Sequence, residues 1–191
     1  RATPRPSRGC PAKSCTATDM PDDRLRVGLD ANILIAGVRL PRWPYEVMRA
    51  AIRGSFELVL PEQVVIEARR HLNHPARLAA LEAFLAGSGH EELPMPPSKL
   101  VHRNHDLVRS EKDVPIALAL LEGGADIFVT NDRDFTDPDA TAERFRRQVH
   151  GMLAAVFLRD VLGWSPQALE TIRNRTWEDV RTAPEAESED G

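Results

Sequence analysis

The sequence predicts an α/β fold whose central sheet is mainly parallel. Three short apolar runs with the composition of buried strands, at residues 25–29, 56–60 and 126–130, are separated by segments with helical periodicity. Strands that alternate with helices form βαβ units, and such units place their strands parallel to one another. The chain has 191 residues, 42% of them apolar, which is the length and composition of one globular domain with a buried core.

The first predicted elements follow in chain order. The first strand ends at Asp30, and the apolar run that begins at Ile33 starts a helix or turn. A second helix is expected over about 45–53, where the apolar residues recur on one face. After the second strand, Pro61 is typical of the first position of a helix. A further helix is expected over about 76–86.

Later elements have weaker patterns, apart from one apolar helix. That helix covers residues 116–121 and is closed by two glycines, which are favoured where helices end. The polar, proline-rich stretch 88–111 is expected to contain only a short strand, at residues 92–93. Residues 156–158 are expected to form either a final strand or the start of a helix.

Composition divides the chain into three segments. Residues 1–23 are rich in Pro, Ser, Thr and Arg without apolar periodicity, which predicts a disordered leader. Residues 24–163 carry the predicted domain. Residues 164–191 form a C-terminal extension with a helix near 166–174 and an acidic tail. The tryptophans of the extension are expected to pack on the domain, and stacking on RNA bases is the alternative for its large side chains, which are Trp164, Arg173, Arg175 and Trp177.

Charge and cysteine content restrict the class of protein only in part. The net charge is −4, but residues 24–177 hold equal numbers of acidic and basic side chains, so the balance neither favours nor excludes RNA. The two cysteines, Cys10 and Cys15, have no second pair or nearby His, and a zinc site is not expected. No apolar run approaches the about 20 residues that a membrane-spanning helix needs. A domain without cysteine fits a cytoplasmic protein.

Four acidic residues carry the functional prediction. Asp30 and Asp132 follow predicted strands, Asp113 begins a helix and Glu67 lies inside one. A parallel sheet gathers such residues at the carboxyl ends of its strands, where ligands bind. Neighbouring carboxylates repel one another unless a cation compensates, and oxygen ligands without His or Cys suit Mg²⁺ or Mn²⁺. The pattern therefore predicts metal-dependent phosphoryl chemistry.

Each of these acids also has a purely structural explanation. An Asp after a strand often caps a helix, so helix cap and metal ligand are equally good interpretations of Asp30. Glu67 is also an ordinary helix former, and Asp113 before Pro115 is typical of a helix start. Asn32 either caps the same helix or holds the carboxylate of Asp30 in place.

Three neighbouring residues receive structural interpretations. Arg70, at i+3 from Glu67, is interpreted as its ion-pair partner on the helix rather than as a phosphate contact. His71 lies on the same polar stripe, and a catalytic role for it is the minor alternative. Asp134 is interpreted as a loop cap rather than a metal ligand.

The order of these segments resembles the PIN-domain family. The resemblance rests on Val-Gly-Leu-Asp-Ala-Asn-Ile-Leu-Ile at 27–35, the helical Glu67, and the stretch 112–132. That stretch is the most specific part: Lys-Asp opens an Ala/Leu helix, and Val-Thr-Asn-Asp closes the stretch shortly before Phe135. The match covers about residues 25–160 and is to PIN proteins that are toxin components of toxin–antitoxin systems.

The resemblance implies a three-layer α/β/α sandwich and a Mg²⁺- or Mn²⁺-dependent endoribonuclease, the toxin of a VapBC-like pair. It implies products with 5′-phosphate and 3′-hydroxyl ends, a cognate antitoxin as partner, and a homodimer. Asp30, Asp113 and Asp132 are the expected metal ligands, and Glu67 binds a second metal or acts through water. All four count as catalytic. Asn32 and Thr130 are expected to orient ligands or substrate.

Alternative functions share this fold. An RNA-processing or DNA-directed nuclease needs the same carboxylates, and a non-catalytic RNA-binding module would keep the fold without the reaction. An aspartyl-phosphate phosphatase is rejected because its chemistry needs Asp-x-Asp after the first strand, whereas this chain has Asp30-x-Asn32.

Overall fold

A five-stranded parallel sheet lies at the centre of the computed structural model, which describes residues 24–182. The strands are β1 (Arg26–Leu29), β2 (Glu57–Pro61), β3 (Glu91–Leu93), β4 (Ile127–Val129) and β5 (His150–Met152). Their order in the sheet is β3-β2-β1-β4-β5, and every neighbouring pair is parallel. The predicted leader, residues 1–23, and the acidic end, residues 183–191, lie outside the described residues.

Helices flank the sheet, so the predicted α/β class is confirmed and the architecture is a three-layer α/β/α sandwich. The helices in chain order are α1 (Ala31–Arg39), α2 (Trp43–Ile52), α3 (Glu62–His71), α4 (Pro75–Gly87), α5 (Ser98–Arg103), α6 (Val114–Glu122), α7 (Arg133–Thr136), α8 (Glu143–Arg146), α9 (Ala154–Asp160), α10 (Pro166–Thr171) and α11 (Trp177–Thr182). A 3₁₀ turn, Glu111–Asp113, precedes α6. None of the helices described over residues 24–182 has the length and apolar character needed to cross a membrane.

The strand order contains a reversal at the centre of the sheet. The chain moves outwards from β1 to β2 and β3, then returns to β4 on the other side of β1 and continues to β5. Because βαβ crossovers are right-handed, the reversal places the α5–α6 connection on the opposite face from α1 to α4. Adjacent strands whose connections leave in opposite directions open a crevice beyond their carboxyl ends. That crevice lies between β1 and β4.

The central strands are buried on both faces. Val27, Leu29, Phe128 and Val129 are fully buried, as expected for short apolar strands covered by helices on both sides. Gly28 is needed for close packing, because a Cβ atom there would lie 2.6 Å from a methyl carbon of Leu120 in α6. Because position 28 carries no side chain, Leu120 of α6 packs directly against this part of β1.

The structure differs from the sequence prediction in the second half of the domain. Strand β5 was not predicted, because its three residues, His150–Met152, lack a β-branched apolar run and remain partly exposed at the sheet edge. Residues 156–158 lie in α9, which confirms the helix alternative. The stretch 88–111, expected to be irregular apart from one short strand, also contains α5. This helix buries no residue and so leaves no apolar pattern in the sequence.

The C-terminal extension packs against the α1–α2 region. The indole N–H of Trp43 donates a hydrogen bond to the carbonyl of Leu169 at 2.9 Å, and that of Trp177 donates to the carbonyl of Arg39 at 3.0 Å. The ring of Trp177 also meets Tyr45 edge-to-face, with centroids 5.0 Å apart. The expectation that the tryptophans pack on the domain is thus confirmed for Trp177.

A buried ion pair holds the same extension in place. Arg175 forms a salt bridge with Glu46, which is 2% exposed and also pairs with Arg49 at 3.3 Å. The guanidinium of Arg175 donates a second hydrogen bond to the carbonyl of Pro41 at 2.6 Å. Trp164, which begins the extension, is partly buried against the core. The extension therefore contacts the domain through Trp164, Arg175 and Trp177.

Candidate functional site

The register of β1 and β4 brings Asp30 and Thr130 together. Leu29 is paired with Val129, so the next residue of each strand emerges side by side at the carboxyl edge. The backbone N–H of Asp30 donates to the carbonyl of Val129 at 3.0 Å, which extends the ladder by one hydrogen bond. Asp30 is 8% exposed and Thr130 is fully buried, so this contact lies at the floor of the crevice.

Two side chains fix the carboxylate of Asp30. The hydroxyl of Thr130 and the amide of Asn32 donate hydrogen bonds to the same carboxylate oxygen. Asn32 accepts a hydrogen bond from the backbone N–H of Asn131 at 3.3 Å, and Thr130 accepts one from the backbone N–H of Asp132 at 2.9 Å. Neither Asp30 nor Asn32 caps α1 with its side chain. Of the two interpretations of Asn32, the structure confirms the one in which it positions Asp30.

The carboxyl group of Asp30 is costly to ionise. Burial raises the pKa of Asp30 from 3.8 to about 6, against the lowering effect of the hydrogen bond from Thr130. The negative charges of Glu67 and Asp132 raise this pKa further, so both side chains lie within electrostatic reach of Asp30. A nearby cation would offset both the burial and the repulsion.

Asp113 carries an unsatisfied buried oxygen. It ends the 3₁₀ turn before α6, is 9% exposed, and its Oδ2 atom has no hydrogen-bond partner among the described residues. Burial raises the pKa of Asp113, Ser110 and Lys112 lower it, and the charges of Asp132 and Asp134 raise it. A buried acceptor without a partner costs about 1–3 kcal/mol, so a bound ion or water would stabilise this group.

Glu67 and Asp113 line one cavity of about 290 Å³, here called the acidic cavity. Glu67 lies inside α3, as predicted, and is half-buried. The side-chain amide of Gln63 donates to the carbonyl of Lys112 at 3.0 Å, which ties α3 to the turn that carries Asp113. Arg70 also lines this cavity and forms no salt bridge with Glu67, so the ion-pair interpretation of Arg70 was wrong.

Asp132 and Asp134 have different partners. Asp132 caps α7 by accepting a hydrogen bond from the backbone N–H of Asp134 at 2.9 Å. Asp134 forms a salt bridge with Arg109 and is not a loop cap, so that interpretation was also wrong. Asp134 still acts on the site, because its charge raises the pKa of Asp113.

The four predicted acids therefore lie around one crevice, and they are called the acidic cluster below. Hydrogen bonds link Asp30, Asn32, Thr130 and the backbone of Asp132, and charge interactions or a shared cavity link Glu67 and Asp113 to them. Over residues 24–182, no three His, Cys, Asp or Glu side chains are close enough to hold a metal ion as they stand. The cluster is thus open, although four carboxylates, one of which carries the unpartnered oxygen of Asp113, are a donor set that fits a hard divalent cation.

A second and larger cavity of about 720 Å³ lies beside the acidic cluster and is here called the basic cavity. Its polar lining comes from both ends of the domain and consists of Asn32, Arg39, Arg42, His71, Arg173 and Asn174. The sequence analysis missed this cavity as a site. Its residues come from α1, α2, α3 and the extension, and only the folded chain brings them together.

Comparisons with known proteins add little to this geometry. A scan against protein-family models gave no match, and a search of curated proteins gave none either. Among solved structures, the chain is similar to the crystal structure of PAE2754 from Pyrobaculum aerophilum. The identity is 18%, the alignment covers 73% of this chain and 98% of that chain, and the TM-score is 0.47. This similarity carries no argument about the site, and the PIN-domain resemblance stays a prediction.

Proposed function

We propose that the protein is a metal-dependent endoribonuclease that hydrolyses RNA phosphodiester bonds at the acidic cluster. The observation that carries the proposal is the pair of buried carboxyl groups, Asp30 and Asp113, at the crevice between β1 and β4. Both have raised pKa values, and one carboxylate oxygen of Asp113 lacks a partner. Folding thus gathers negative charge in a cleft at a cost in stability, which is the usual mark of a functional site.

The ligands of the ion under this proposal are Asp30, Asp113 and Asp132, with Glu67 placed to bind a second ion or to act through water. When bound, Mg²⁺ or Mn²⁺ supplies Lewis-acid stabilisation of a phosphate and a bound water of lowered pKa. Carboxylate oxygens are the donors that both ions favour.

The remaining residues position these acids. Thr130 and Asn32 hold one oxygen of Asp30, which leaves the second oxygen for the ion. Thr130 also fixes the backbone of Asp132 through its N–H, so one hydroxyl sets two of the proposed ligands. Arg70 and Lys112 are exposed cations on the wall of the acidic cavity, and they are placed to contact the phosphate oxygens of a substrate.

The PIN-domain resemblance supports the narrower role. Under it, the protein is the toxin of a type II toxin–antitoxin pair, acts on cytoplasmic RNA, binds a cognate antitoxin and forms a homodimer. An RNA-processing nuclease, a DNA-directed nuclease and a non-catalytic RNA-binding module would use the same cleft. Cleavage measurements separate these roles.

The test compares cleavage of a single-stranded RNA and a DNA of the same sequence, with Mg²⁺, with Mn²⁺ and with EDTA. The wild-type protein is compared with Asp30→Asn and with the control Asp139→Asn, an exposed acid outside the acidic cluster. We expect metal-dependent RNA cleavage with 5′-phosphate ends from the wild type and the control, and none from Asp30→Asn. Preferred cleavage of DNA would favour the DNA-directed alternative. RNA binding without cleavage would favour the non-catalytic one.

A cellular experiment tests the toxin role. Wild type and Asp30→Asn are induced side by side, and growth and RNA 5′ ends are measured. Growth arrest with new 5′-monophosphate ends only in the wild type is the expected result. Normal growth in both, together with cleavage in vitro, would instead indicate a processing nuclease.

A further inference from the structure

The basic cavity is lined by side chains that bind anions. The guanidinium groups of Arg39, Arg42 and Arg173 and the imidazole of His71 line it, together with the amides of Asn32 and Asn174. No Asp or Glu of the described part of the chain belongs to its lining. Three guanidinium groups around one cavity create a local positive potential, although residues 24–177 as a whole are neutral.

The arginines of this cavity have few acidic partners. Arg39 donates to the carbonyl of His71 at 3.3 Å, and Arg42 donates to the carbonyl of Arg175 at 3.4 Å. Within residues 24–182 neither of them forms a salt bridge, and Arg173 pairs only with the exposed Glu170 at 3.4 Å. Their N–H groups are therefore available for bidentate contacts with phosphate.

An aromatic ring gives the cavity a wall for a base. Trp43 is half-buried and lines the cavity, and its hydrogen bond to Leu169 fixes the plane of the indole. Bases stack on aromatic rings whatever their sequence, with about 1–3 kcal/mol for each base. The volume of about 720 Å³ lies within the roughly 300–1,000 Å³ of ordinary ligand pockets, which is enough for a nucleotide.

Two residues connect the basic cavity to the acidic cluster. Asn32 lines the basic cavity and donates to the carboxylate of Asp30. His71 lines both the basic and the acidic cavity. Its Nδ1 atom is 3.0 Å from the carbonyl oxygen of Glu67, which can only accept a hydrogen bond, so Nδ1 carries the proton and Nε2 is free for a ligand.

We infer that the basic cavity is a substrate subsite, which binds the single-stranded RNA segment next to the phosphate that is cleaved. Arg39, Arg42 and Arg173 contact backbone phosphates, and Trp43 stacks on a base. The C-terminal extension is then part of the binding site, because it supplies Arg173 and Asn174. The statement that the neighbouring phosphate is the one cleaved rests on the proposed function, whereas RNA binding in this cavity needs no metal.

The test measures binding of a short, labelled, single-stranded RNA by fluorescence anisotropy in EDTA over a range of salt concentrations. The variant Arg39→Gln/Arg173→Gln removes two exposed charges from the two sides of the cavity. The matched control, Arg53→Gln/Arg77→Gln, removes two exposed charges from elsewhere on the surface. Thermal melting of both variants establishes that they are folded.

We expect wild type and the control to bind alike, and Arg39→Gln/Arg173→Gln to bind about tenfold or more weakly at about 50 mM salt. The salt dependence of its binding should fall by about 1.4 in logarithmic slope, since two phosphate contacts to a single strand are lost. Equal binding by the cavity variant and the control would overturn the inference.

Failure of the subsite and failure of the nuclease proposal are distinguishable. If the cavity variant binds weakly but the wild type cleaves nothing with either metal, the subsite stands and the nuclease proposal falls. If the wild type cleaves RNA and the cavity variant cleaves it with an unchanged KM, the nuclease stands and the subsite falls. Photo-crosslinking of a bromouridine-labelled RNA identifies the residues that contact the bound RNA. Adducts that lie outside Trp43 and the segment 169–175 would also contradict the subsite.

Discussion

The hydroxyl of Thr130 donates a hydrogen bond to the carboxylate of Asp30, a residue 100 positions earlier in the chain. The contact exists because β1 and β4 are neighbours in register and both strands end at this edge. The same hydroxyl accepts the backbone N–H of Asp132. One buried threonine thus links Asp30 to Asp132.

Asp30→Asn should stabilise the metal-free protein at neutral pH. The folded-state pKa of Asp30 is about 6 against a usual value of 3.8, so the folded state resists ionisation. In the wild type, protonated Asp30 makes its full contribution to folding stability below about pH 4. This contribution is lost as the pH rises through about 6. At about pH 7.5 the variant should gain up to about 3 kcal/mol in unfolding free energy over wild type, since each pKa unit corresponds to 1.36 kcal/mol.

Urea unfolding in EDTA at about pH 4 and about pH 7.5 checks this prediction. The difference between the two proteins should nearly vanish at the lower pH. A variant that is less stable than wild type at neutral pH would show that the charge of Asp30 is already compensated without a metal.

Thr130→Val should raise the pKa of Asp30 beyond its present value. The substitution keeps the volume of the side chain but removes the donor to Asp30 and the acceptor for the N–H of Asp132. We expect a loss of about 1–3 kcal/mol at neutral pH and a smaller loss at low pH, where Asp30 is protonated. Thr130→Ser keeps the hydroxyl, so the midpoint of its pH–stability curve should stay where wild type has it. Equal midpoints for Val and Ser would contradict the role of the hydroxyl.

Divalent cations should stabilise the protein through Asp113 as well as Asp30. Mn²⁺ at ten times its dissociation constant should contribute about 1.4 kcal/mol, or a rise of a few degrees in Tm for a domain of this size. Differential scanning fluorimetry should show the rise in wild type and in Asp139→Asn but not in Asp113→Asn or Asp30→Asn. A rise of the same size in all four proteins would place the bound ion elsewhere.

Arg175→Ala should loosen the C-terminal extension. Among the described residues, the substitution leaves Glu46, which is 2% exposed, with only its 3.3 Å contact to Arg49, and it removes the hydrogen bond to Pro41. Breaking a buried ion pair from one side costs about 3–5 kcal/mol, and the remaining Arg49 contact should keep the cost near the lower end.

Limited proteolysis with trypsin, together with urea unfolding, measures this effect. Cleavage near residues 159–175 should be faster in Arg175→Ala than in wild type. Arg173→Ala is the control, because Arg173 is exposed and its only salt bridge within residues 24–182 is to the exposed Glu170. Similar cleavage rates for the two variants would show that the ion pair does not anchor the extension.

The fold and the acidic cluster could be predicted from sequence for the same reason. Strands such as β1 and β4 are short buried apolar runs, and the rule that ligands bind at carboxyl ends of parallel strands then locates Asp30 and Asp132. Short elements with little burial, such as β5 and α5, leave no such pattern. The arginine pairing of Asp134 depends on Arg109, which is 25 positions away, and the sequence contains no sign of that contact.

The basic cavity could not be predicted because no local pattern marks it. Arg39 and Arg42 flank the turn between α1 and α2, and Arg173 comes from the far end of the chain. Their convergence depends on how the extension packs, to which the buried pair of Glu46 and Arg175 contributes. Neither of these two residues stands out in the sequence, because a contact between residues 129 positions apart produces no local sequence pattern.

The close contact between Gly28 and Leu120 has a consequence for the distribution of tolerated substitutions. Asp30 directly follows the last residue of β1, and Thr130, which holds its carboxylate, directly follows the last residue of β4. A small expansion of the interior, such as a methyl group at Gly28, would shift β1 against β4 and displace Asp30 from Thr130 while the chain still folds. Genetic screens for inactive, well-expressed protein should therefore recover interior positions far from any solvent-accessible surface, alongside the acids themselves.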